Sequence, residues 1–293
     1  MTPYQPARPR VALSASLYDH LALAEALPRI ADLGYRSVEL IADQPHLFPA
    51  SWTMGQAMRL ARVVEQEGLR VVNLSCETGR GFYSPIPAGP VYEPSLITPL
   101  GSGRRLRMQH LRRCLDLAFT LGAPCITIAS GACLPGMTPA MGWDQLIEAL
   151  TVLLSHAEEL GVLVAVAPRP GHLIARTEDF LALHEALPHP LLGVSLDAAQ
   201  MAQAGESAQA AVLSCADRIW TVQLTDAKLP GTFRVCPGWG DVALEGLWDA
   251  LEAIAYHGPV TLHLENHADA PEQAGQAALE FVRSTLEGEL QAI

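Results

Sequence analysis

The chain alternates between segments with apolar residues at helical spacing and short runs that are apolar throughout. A glycine separates the two in "IADLGYRSVELI" (30–41), "VEQEGLRVVNLS" (64–75), "AFTLGAPCITIAS" (118–130), "AEELGVLVAVAP" (157–168) and, more faintly, "EAIAYHGPVTLHLE" (252–265). Many helices end at a glycine in the left-handed conformation, so each unit predicts a helix, its C-terminal cap and a strand. The predicted caps are Gly34, Gly68, Gly122, Gly161 and Gly258.

Three further apolar runs, "RVALSAS" (10–16), "LLGVSLD" (191–197) and "IWTVQLTD" (219–226), bring the predicted strands to eight. Runs that are short, β-branched and apolar throughout are typical of parallel strands buried on both faces. Helical patterns follow each strand, so the sequence predicts an α/β fold, a single (β/α)8 TIM barrel domain over residues 1–293. A doubly wound sheet is the alternative, but no glycine-rich phosphate fingerprint follows the first strand.

Composition and charge narrow the classes of function. The chain has 19 Lys and Arg against 31 Asp and Glu, a formal net charge of −12. A protein that neutralises the phosphates of a duplex needs a basic face, so no nucleic-acid partner is expected. The arginines of 101–113 are interpreted mostly as the solvated face of a helix.

Other features of the sequence favour an intracellular protein. No apolar run reaches the roughly 18 residues that a membrane helix needs, so no membrane partner is expected. The start of the chain, "MTPYQPARPR", is not followed by an apolar signal segment, and we expect a cytoplasmic location. The six cysteines show no CxxC spacing and are expected to be buried reduced thiols.

In a TIM barrel the chemistry takes place at the carboxyl ends of the strands and in the loops that follow them. The predicted catalytic residues there are Glu39, Asp197 and His263. A small-molecule substrate would be bound by Arg169, Gln223, Arg234, Glu265, Asn73, Tyr83 and Trp239. The loops 79–103 and 227–240 are long enough to be lids or binding loops.

These residues also have structural interpretations. Arg169 could pair with a surface carboxylate, Glu39 could brace a loop, and His263 between two leucines could be a hydrogen-bonded core histidine. Tyr83 could pin its loop, and Trp239 would pack over the mouth without doing chemistry. Asp197 at the end of an apolar strand is harder to explain structurally, because a buried charge needs a partner.

The stretch "VTLHLENH" (260–267) raises the question of a metal. In a strand, alternate side chains share a face, so His263, Glu265 and His267 would lie together and two imidazoles and a carboxylate could bind a divalent ion. A strand rises about 3.3 Å per residue, however, and the three span too far for all of them to meet one ion. Their spacing alone does not make a metal site.

Seven stretches in order resemble the xylose-isomerase-like TIM barrels, the sugar phosphate isomerase/epimerase group that also contains endonuclease IV. They are "LGYRSVELIAD", "RMQHLRRCLDLAFTLGAPCITIASG", "AVAPRPGHLI", "LGVSLDAAQ", "IWTVQLTDAK", "CPGWGDV" and "GPVTLHLE", which cover nearly the whole chain. The resemblance implies a divalent metal held by one carboxylate or imidazole from each of strands five to eight. The typical patterns are V-E-P, D-x-x-H, H-x-x-D and V-E-L.

This chain departs from each pattern. The fifth strand has Ala167 in place of the glutamate, and the sixth keeps Asp197 but has Gln200 in place of the histidine. The seventh has Gln223 in place of the histidine, although it keeps Asp226.

On the eighth strand, His263 stands in place of the glutamate, and Arg234 aligns with a histidine often found in the preceding loop. A divalent ion normally needs three or four anionic or imidazole ligands, so we expect no metal and no other cofactor. The alternative is a single Mn²⁺, Mg²⁺ or Zn²⁺ held by Asp197, His263 and Glu265.

The leading hypothesis is a metal-independent isomerase, epimerase, lyase or dehydratase that acts on a small polar carbonyl or carboxylate compound. Arg169 or Arg234 would hold a carboxylate, phosphate or oxyanion, and His263 would be the general acid/base, with Asp197 orienting it or acting as the base. One alternative is a non-catalytic relative that binds a ligand or a partner protein. Another is a metal-dependent sugar phosphate isomerase/epimerase with rearranged ligands. A homo-oligomer is left open, and nuclease activity comes last.

Overall fold

The computed structural model describes residues 10–229 and 233–288, whose strands form a closed barrel and a small ribbon. The strands are β1 (Arg10–Ser14), β2 (Ser37–Ile41), β3 (Arg70–Ser75), β4 (Cys125–Ile128), β5 (Leu163–Val166), β6 (Leu192–Asp197), β7 (Ile219–Leu224), β8 (Asp226–Lys228), β9 (Phe233–Val235) and β10 (Pro259–Leu262). In this part of the chain, eight parallel strands close the barrel in the order β1-β10-β7-β6-β5-β4-β3-β2, which confirms the predicted TIM barrel. Strands β8 and β9 form an antiparallel ribbon where the sequence predicted a loop.

Helices follow the barrel strands. They are α1 (Leu23–Asp32), α2 (Met54–Gln66), α3 (Gly101–Leu121), α4 (Pro139–Leu160), α5 (Thr177–Ala186), α6 (Ala198–Gln203), α7 (Ala208–Ser214), α8 (Glu245–Ala253) and α9 (Pro271–Gly288). Gly122 and Gly161 end α3 and α4 with φ of 69° and 67°, as predicted. Short 3-10 helices at Ala15–Tyr18, Pro49–Ser51, Arg80–Phe82, Ala216–Arg218 and Glu265–His267 complete the connections.

The predicted cap at Gly258 is wrong. Helix α8 ends at Ala253, and the left-handed residue that follows it is Ala255, with φ of 51°. The N–H of Tyr256 then donates to the carbonyl of Leu251, which closes the helix before Gly258 is reached. Gly258 is needed for a different reason, because a Cβ there would lie 2.3 Å from the hydroxyl of Tyr256.

The two faces of the barrel strands differ in polarity. Outward positions such as Leu40, Leu74 and Ile126 are fully buried, with 0% exposure, and pack against the helices in the hydrophobic core. Inward positions carry small or polar side chains, among them Ser14, Glu39, Asn73, Thr127, Ser195, Thr221 and Thr261, which are also buried. The strands are therefore not apolar throughout, since polar residues at inward positions alternate with apolar outward residues on most of them, although β5 has Ala165 at its inward position.

Two expectations about the environment can be compared with the structure. No helix of the described residues is long and apolar enough to cross a bilayer. The six cysteines are free thiols and five of them are buried, but Cys133 is exposed, contrary to the expectation of buried thiols throughout.

Candidate active site at the barrel mouth

The carboxyl ends of the parallel strands lie at one rim, and a buried pair, Glu39 and His263, bridges that rim. Glu39 lies on β2 and His263 directly follows β10, with β1 between the two strands. His263 Nε2 lies 2.7 Å from Glu39 Oε1, and the two side chains are only 5% and 0% exposed. The contact brings an imidazole and a carboxylate, two groups that take part in acid/base chemistry, together inside the barrel.

The second oxygen of Glu39 is fixed from the other side. Asn73 Nδ2 on β3 donates to Glu39 Oε2 at 2.8 Å and to Thr127 Oγ1 on β4 at 2.9 Å. Thr127 Oγ1 lies 3.1 Å from Asn73 Oδ1, to which it donates. The contacts that link Thr127, Asn73, Glu39 and His263 thus hold the Glu39 carboxylate in one orientation. Asn73 contributes to this through its hydrogen bond to Glu39 inside the barrel.

Asp197 ends β6 and has three different donors. It is the N-cap of α6, where its Oδ1 accepts from the N–H of Gln200 at 3.1 Å and from the hydroxyl of Thr225. Its Oδ2 lies 3.1 Å from Arg234 Nη2 on β9, and both side chains are largely buried. Asp197 and Arg234 therefore meet, as their predicted positions at the mouth require, and the β8–β9 ribbon brings the arginine there.

Arg169 belongs to a separate ion pair beside this one. Its Nη2 lies 2.6 Å from Oε2 of Glu77, and its guanidinium stacks 4.8 Å from the centre of the Tyr92 ring. Burial disfavours the cation, but Glu77 and then Tyr92, with a smaller contribution from Asp197, raise the pKa of Arg169 above its ordinary value. Arg169 thus points inward and stays charged.

His172 completes the cluster around Arg169. Its ring makes an edge contact with Tyr92, with centroids 4.8 Å apart. Burial, and then the nearby charge of Arg169, lower the pKa of His172 to about 4. His172 is therefore neutral near pH 7. It packs against the arginine cluster through its contact with Tyr92.

The loop 79–103 is fastened by two buried charges rather than left as an open lid. Arg107 on α3 donates to the carbonyls of Pro94 at 2.6 Å, Thr78 at 3.0 Å and Tyr92 at 3.0 Å. Asp43 accepts from the N–H groups of Arg80 and Gly81 at 2.8 and 2.9 Å. The expectation that the arginines of 101–113 are mostly solvated fails for Arg107, which is 3% exposed and satisfies carbonyls that water cannot reach.

Tyr83 and Trp239 lie on exposed parts of the two long loops. The hydroxyl of Tyr83 donates to the carbonyl of Glu93 at 3.0 Å, so this residue pins its own loop. Trp239 is 60% exposed and contacts the ring of His267 edge-on, with centroids 6.3 Å apart. The loop behind it is held by Asp226, whose Oδ2 accepts from the N–H groups of Gly238 at 3.0 Å and Gly240 at 2.7 Å.

The prediction that "HLENH" continues as a strand is wrong. Strand β10 ends at Leu262, and residues Glu265–His267 form a 3-10 helix. His263, Glu265 and His267 therefore do not share a strand face, because the extended backbone ends before the first of them. The side chain of Glu265, proposed above to bind substrate or metal, lies outside what the structure describes, as do residues 230–232 of the loop 227–240.

The side chains that the structure describes at the mouth do not fit a divalent metal. Ala167 supplies no ligand atom, the oxygens of Asp197 already accept hydrogen bonds, and His263 is in contact with Glu39. No three His, Cys, Asp or Glu residues in the described ranges are grouped as a metal would require. The guanidinium of Arg234 next to Asp197 would also repel a bound cation.

Sequence reasoning missed Glu77, Arg107 and Thr127. Both charged residues lie in or beside the long-loop region. Glu77 pairs with Arg169, 92 residues away along the chain, and Arg107 has partners up to 31 residues away. Only the polar character of Thr127 inside an apolar strand marks it in the sequence. The charge of Glu77 directly after a predicted strand was the one usable signal for that residue.

A sequence profile of the xylose isomerase-like TIM barrel family matches residues 27–285. Fructoselysine 3-epimerase of Escherichia coli O157:H7 is 21% identical over 274 residues, which cover 92% of this chain and 95% of that protein. The 3-dehydroshikimate dehydratase of Pseudomonas putida is 27% identical over 197 residues, 62% of this chain and 30% of that protein. The crystal structure of 3-keto-D-glucoside 4-epimerase from E. coli has a TM-score of 0.78 at 16% identity, covering 94% of this chain and 100% of that one, and shares the fold.

Proposed function

We propose that this chain, which belongs to the xylose isomerase-like TIM barrel family, catalyses an isomerase- or epimerase-type reaction on a small polar carbonyl compound. The side chains at the barrel mouth would do this by acid/base chemistry without a divalent metal. The names of the relatives support the reaction class, since one is a sugar-derivative epimerase and another a dehydratase. Both reactions begin by removing a proton from a carbon next to a carbonyl.

The observation that carries the proposal is the contact of 2.7 Å between His263 Nε2 and Glu39 Oε1. The fold does not require such a buried pair, because apolar residues of similar volume in place of both partners are often as stable as a buried ion pair. A histidine held by an oriented carboxylate is the usual arrangement of a general acid/base near neutral pH. The site is also at the end of the barrel where TIM barrel enzymes react.

In the proposed reaction, His263 removes the proton from the carbon next to the carbonyl. The electron pair of the broken C–H bond forms a C=C bond, and the carbonyl π electrons move to the oxygen. Glu39 stabilises the imidazolium that results and keeps the ring oriented. Delivery of a proton from water to the opposite face of the same carbon, with release of the His263 proton to solvent, gives an epimer. Return of the proton from His263 to the neighbouring carbon, with transfer of the hydroxyl proton to the oxygen of the former carbonyl, gives an isomer.

The arginines would hold the polar parts of the substrate. Arg169 Nε has no hydrogen-bond partner within the described part of the chain, although the guanidinium is nearly buried. Arg234 belongs to the neighbouring ion pair, beside Asp197. A fixed guanidinium can donate to two oxygens of a carboxylate or a diol, which supports a substrate with several oxygen atoms. Tyr83, Trp239 and Glu265 stay predictions as substrate contacts. Of the two aromatic residues among them, Trp239 is 60% exposed and Tyr83 is 41% exposed.

The experiment is solvent exchange in D₂O. Chelator-treated protein is incubated with neutral 2-ketohexoses and 2-ketopentoses, with their phosphate esters, and with hydroxyketo acids. Proton NMR then follows the loss of the signal from the carbon next to the carbonyl. We expect exchange, and a new epimer or isomer, with at least one compound.

The outcomes separate the alternatives. Exchange only after addition of Mn²⁺ or Zn²⁺ would show that the reaction depends on a metal, as in the metal-dependent alternative. No exchange with or without metal would contradict catalysis on these substrates and favour the non-catalytic, ligand-binding relative. Loss of water from a hydroxyketo acid, seen as ultraviolet absorbance of a conjugated product, would identify the dehydratase reaction, which the guanidiniums at the mouth and the dehydratase relative favour as a second candidate.

A further inference from the structure

Gln223, near the end of β7, places a buried amide at the base of the mouth. Its register partners are Asp197 on β6 and Thr261 on β10, so the three side chains lie on the same inner face of the barrel. The residue is 2% exposed, and its Nε2 finds no hydrogen-bond acceptor among residues 10–229 and 233–288.

Asp197, the carboxylate beside Gln223, is already occupied. Its Oδ1 accepts from Gln200 N–H and Thr225, and its Oδ2 lies 3.1 Å from Arg234. The carboxylate therefore does not use the amide of Gln223, although the two residues are paired across the ladder. The Nε2–H group of Gln223 therefore remains available to donate to a group outside the described residues.

Other hydrogen-bond donors on the same inner face are also buried and lack a partner among the described residues. The hydroxyls of Ser195, Thr221 and Thr261 are buried and have no hydrogen-bond partner in the part of the chain that the structure describes. They lie on β6, β7 and β10. The first two of these strands carry Asp197 and Gln223, and the third is followed directly by His263. This side of the barrel thus presents polar atoms that need oxygen-containing partners.

An unmade hydrogen bond in the interior opposes folding, whereas an apolar side chain of the same shape would not. Methionine is about as long as glutamine and has no polar hydrogen, so it would fill the position of Gln223 without this penalty. Buried groups that lower stability in this way are typical of sites that meet their partner only when a ligand binds.

We infer that Gln223 is a catalytic residue whose Nε2–H donates to the substrate oxygen that becomes negative when the proton is removed. This inference rests on the proposed function. The oxygen gains the electron pair of the C=O π bond as His263 takes the proton, and the amide stabilises this charge without itself losing a proton. A donor aimed at the developing oxyanion is usually the largest single contribution to such a reaction.

The test compares Gln223→Met with a matched control, Gln109→Met, on the exposed face of α3. The probe is glycolohydroxamate, a stable mimic of an enediolate, titrated calorimetrically into full-length protein in the presence of a chelator. Melting temperatures are recorded for all three proteins, and the exchange rate in D₂O is measured with any ketose that the wild type accepts. The probe requires no turnover, so it tests Gln223 even if the proposed reaction is wrong.

We expect the wild type and Gln109→Met to bind the probe equally and Gln223→Met to bind it at least tenfold more weakly. The melting temperature of Gln223→Met should equal or exceed that of the wild type, and its exchange rate should fall about 10²–10³-fold, the usual effect of deleting an oxyanion donor. Equal binding by Gln223→Met, absence of binding by the wild type, or a lower melting temperature for Gln223→Met would overturn the inference. Weakened binding without any wild-type exchange would leave the oxyanion site standing and reject the proposed substrates instead.

Discussion

Individual residues at the mouth can be separated into those that hold the fold and those that do chemistry. Glu39→Gln is the sharpest change, because the amide keeps the hydrogen bond from Asn73 and the size of the side chain while it removes the carboxylate next to His263. We expect exchange in D₂O to fall about 10²–10⁴-fold, the usual contribution of general acid/base catalysis. The melting temperature, followed by differential scanning fluorimetry, should stay within a few degrees of the wild type. Glu148→Gln, the same change on the exposed face of α4, is the control and should alter neither quantity.

His263→Ala should behave differently from Glu39→Gln. Removal of the imidazole leaves Glu39 buried beside no cation, and breaking a buried pair in this way costs about 3–5 kcal/mol of unfolding free energy. We therefore expect both activity and stability to fall, with unfolding measured in urea. Stability near that of the wild type would mean that Glu39 takes up a proton at little cost, and the carboxylate would then be an unsuitable partner for an imidazolium.

At the scale of elements, hydrogen bonds fasten the loop 79–103 to the rest of the fold, and we predict that it is part of the scaffold of the site. Arg107 fastens it to α3, so Arg107→Met leaves the carbonyls of Pro94, Thr78 and Tyr92 without a donor. We expect trypsin to cleave the variant within the loop, at Arg80, at least tenfold faster than the wild type, because local opening exposes the backbone. Arg105→Met, on the exposed face of the same helix, is the control. Equal cleavage of all three proteins would show that the loop is held by other contacts.

The elements themselves were largely predictable, and the pairings between them were not. The barrel follows from local patterns, since Gly122 and Gly161 mark helix ends and the apolar runs after them mark strands. The Arg169–Glu77 pair joins residues 92 positions apart, and no local pattern encodes which carboxylate an arginine will meet. The "HLENH" stretch failed because alternation of polar residues predicts a strand only while the backbone stays extended, and here it stops at Leu262.

For the whole molecule, three pairs of ionisable side chains meet at the mouth within the described residues. Arg169 faces Glu77, Arg234 faces Asp197, and His263 faces Glu39. Despite the net charge of −12, the described side chains at the mouth therefore do not form a cluster of unpaired carboxylates, which is what a divalent cation would need. The chain keeps the barrel of its family, and we propose that the described charges at the barrel mouth balance one another instead of an ion.

Metal content measures this property of the whole protein directly. Protein purified without a histidine tag, analysed by elemental mass spectrometry before and after chelator treatment, should contain only substoichiometric Mn, Zn and Fe, and its exchange rate should not change. Ala167→Glu with Gln223→His should still fail to bind Mn²⁺, because the guanidinium of Arg234 stays at Asp197 Oδ2. Adding Arg234→His to that pair removes the fixed positive charge and supplies an imidazole, so the triple variant should gain calorimetric Mn²⁺ binding. Stoichiometric metal in the wild type would contradict the balance of charges, and Mn²⁺ binding by the double variant would show that Arg234 is displaced from Asp197 at little cost.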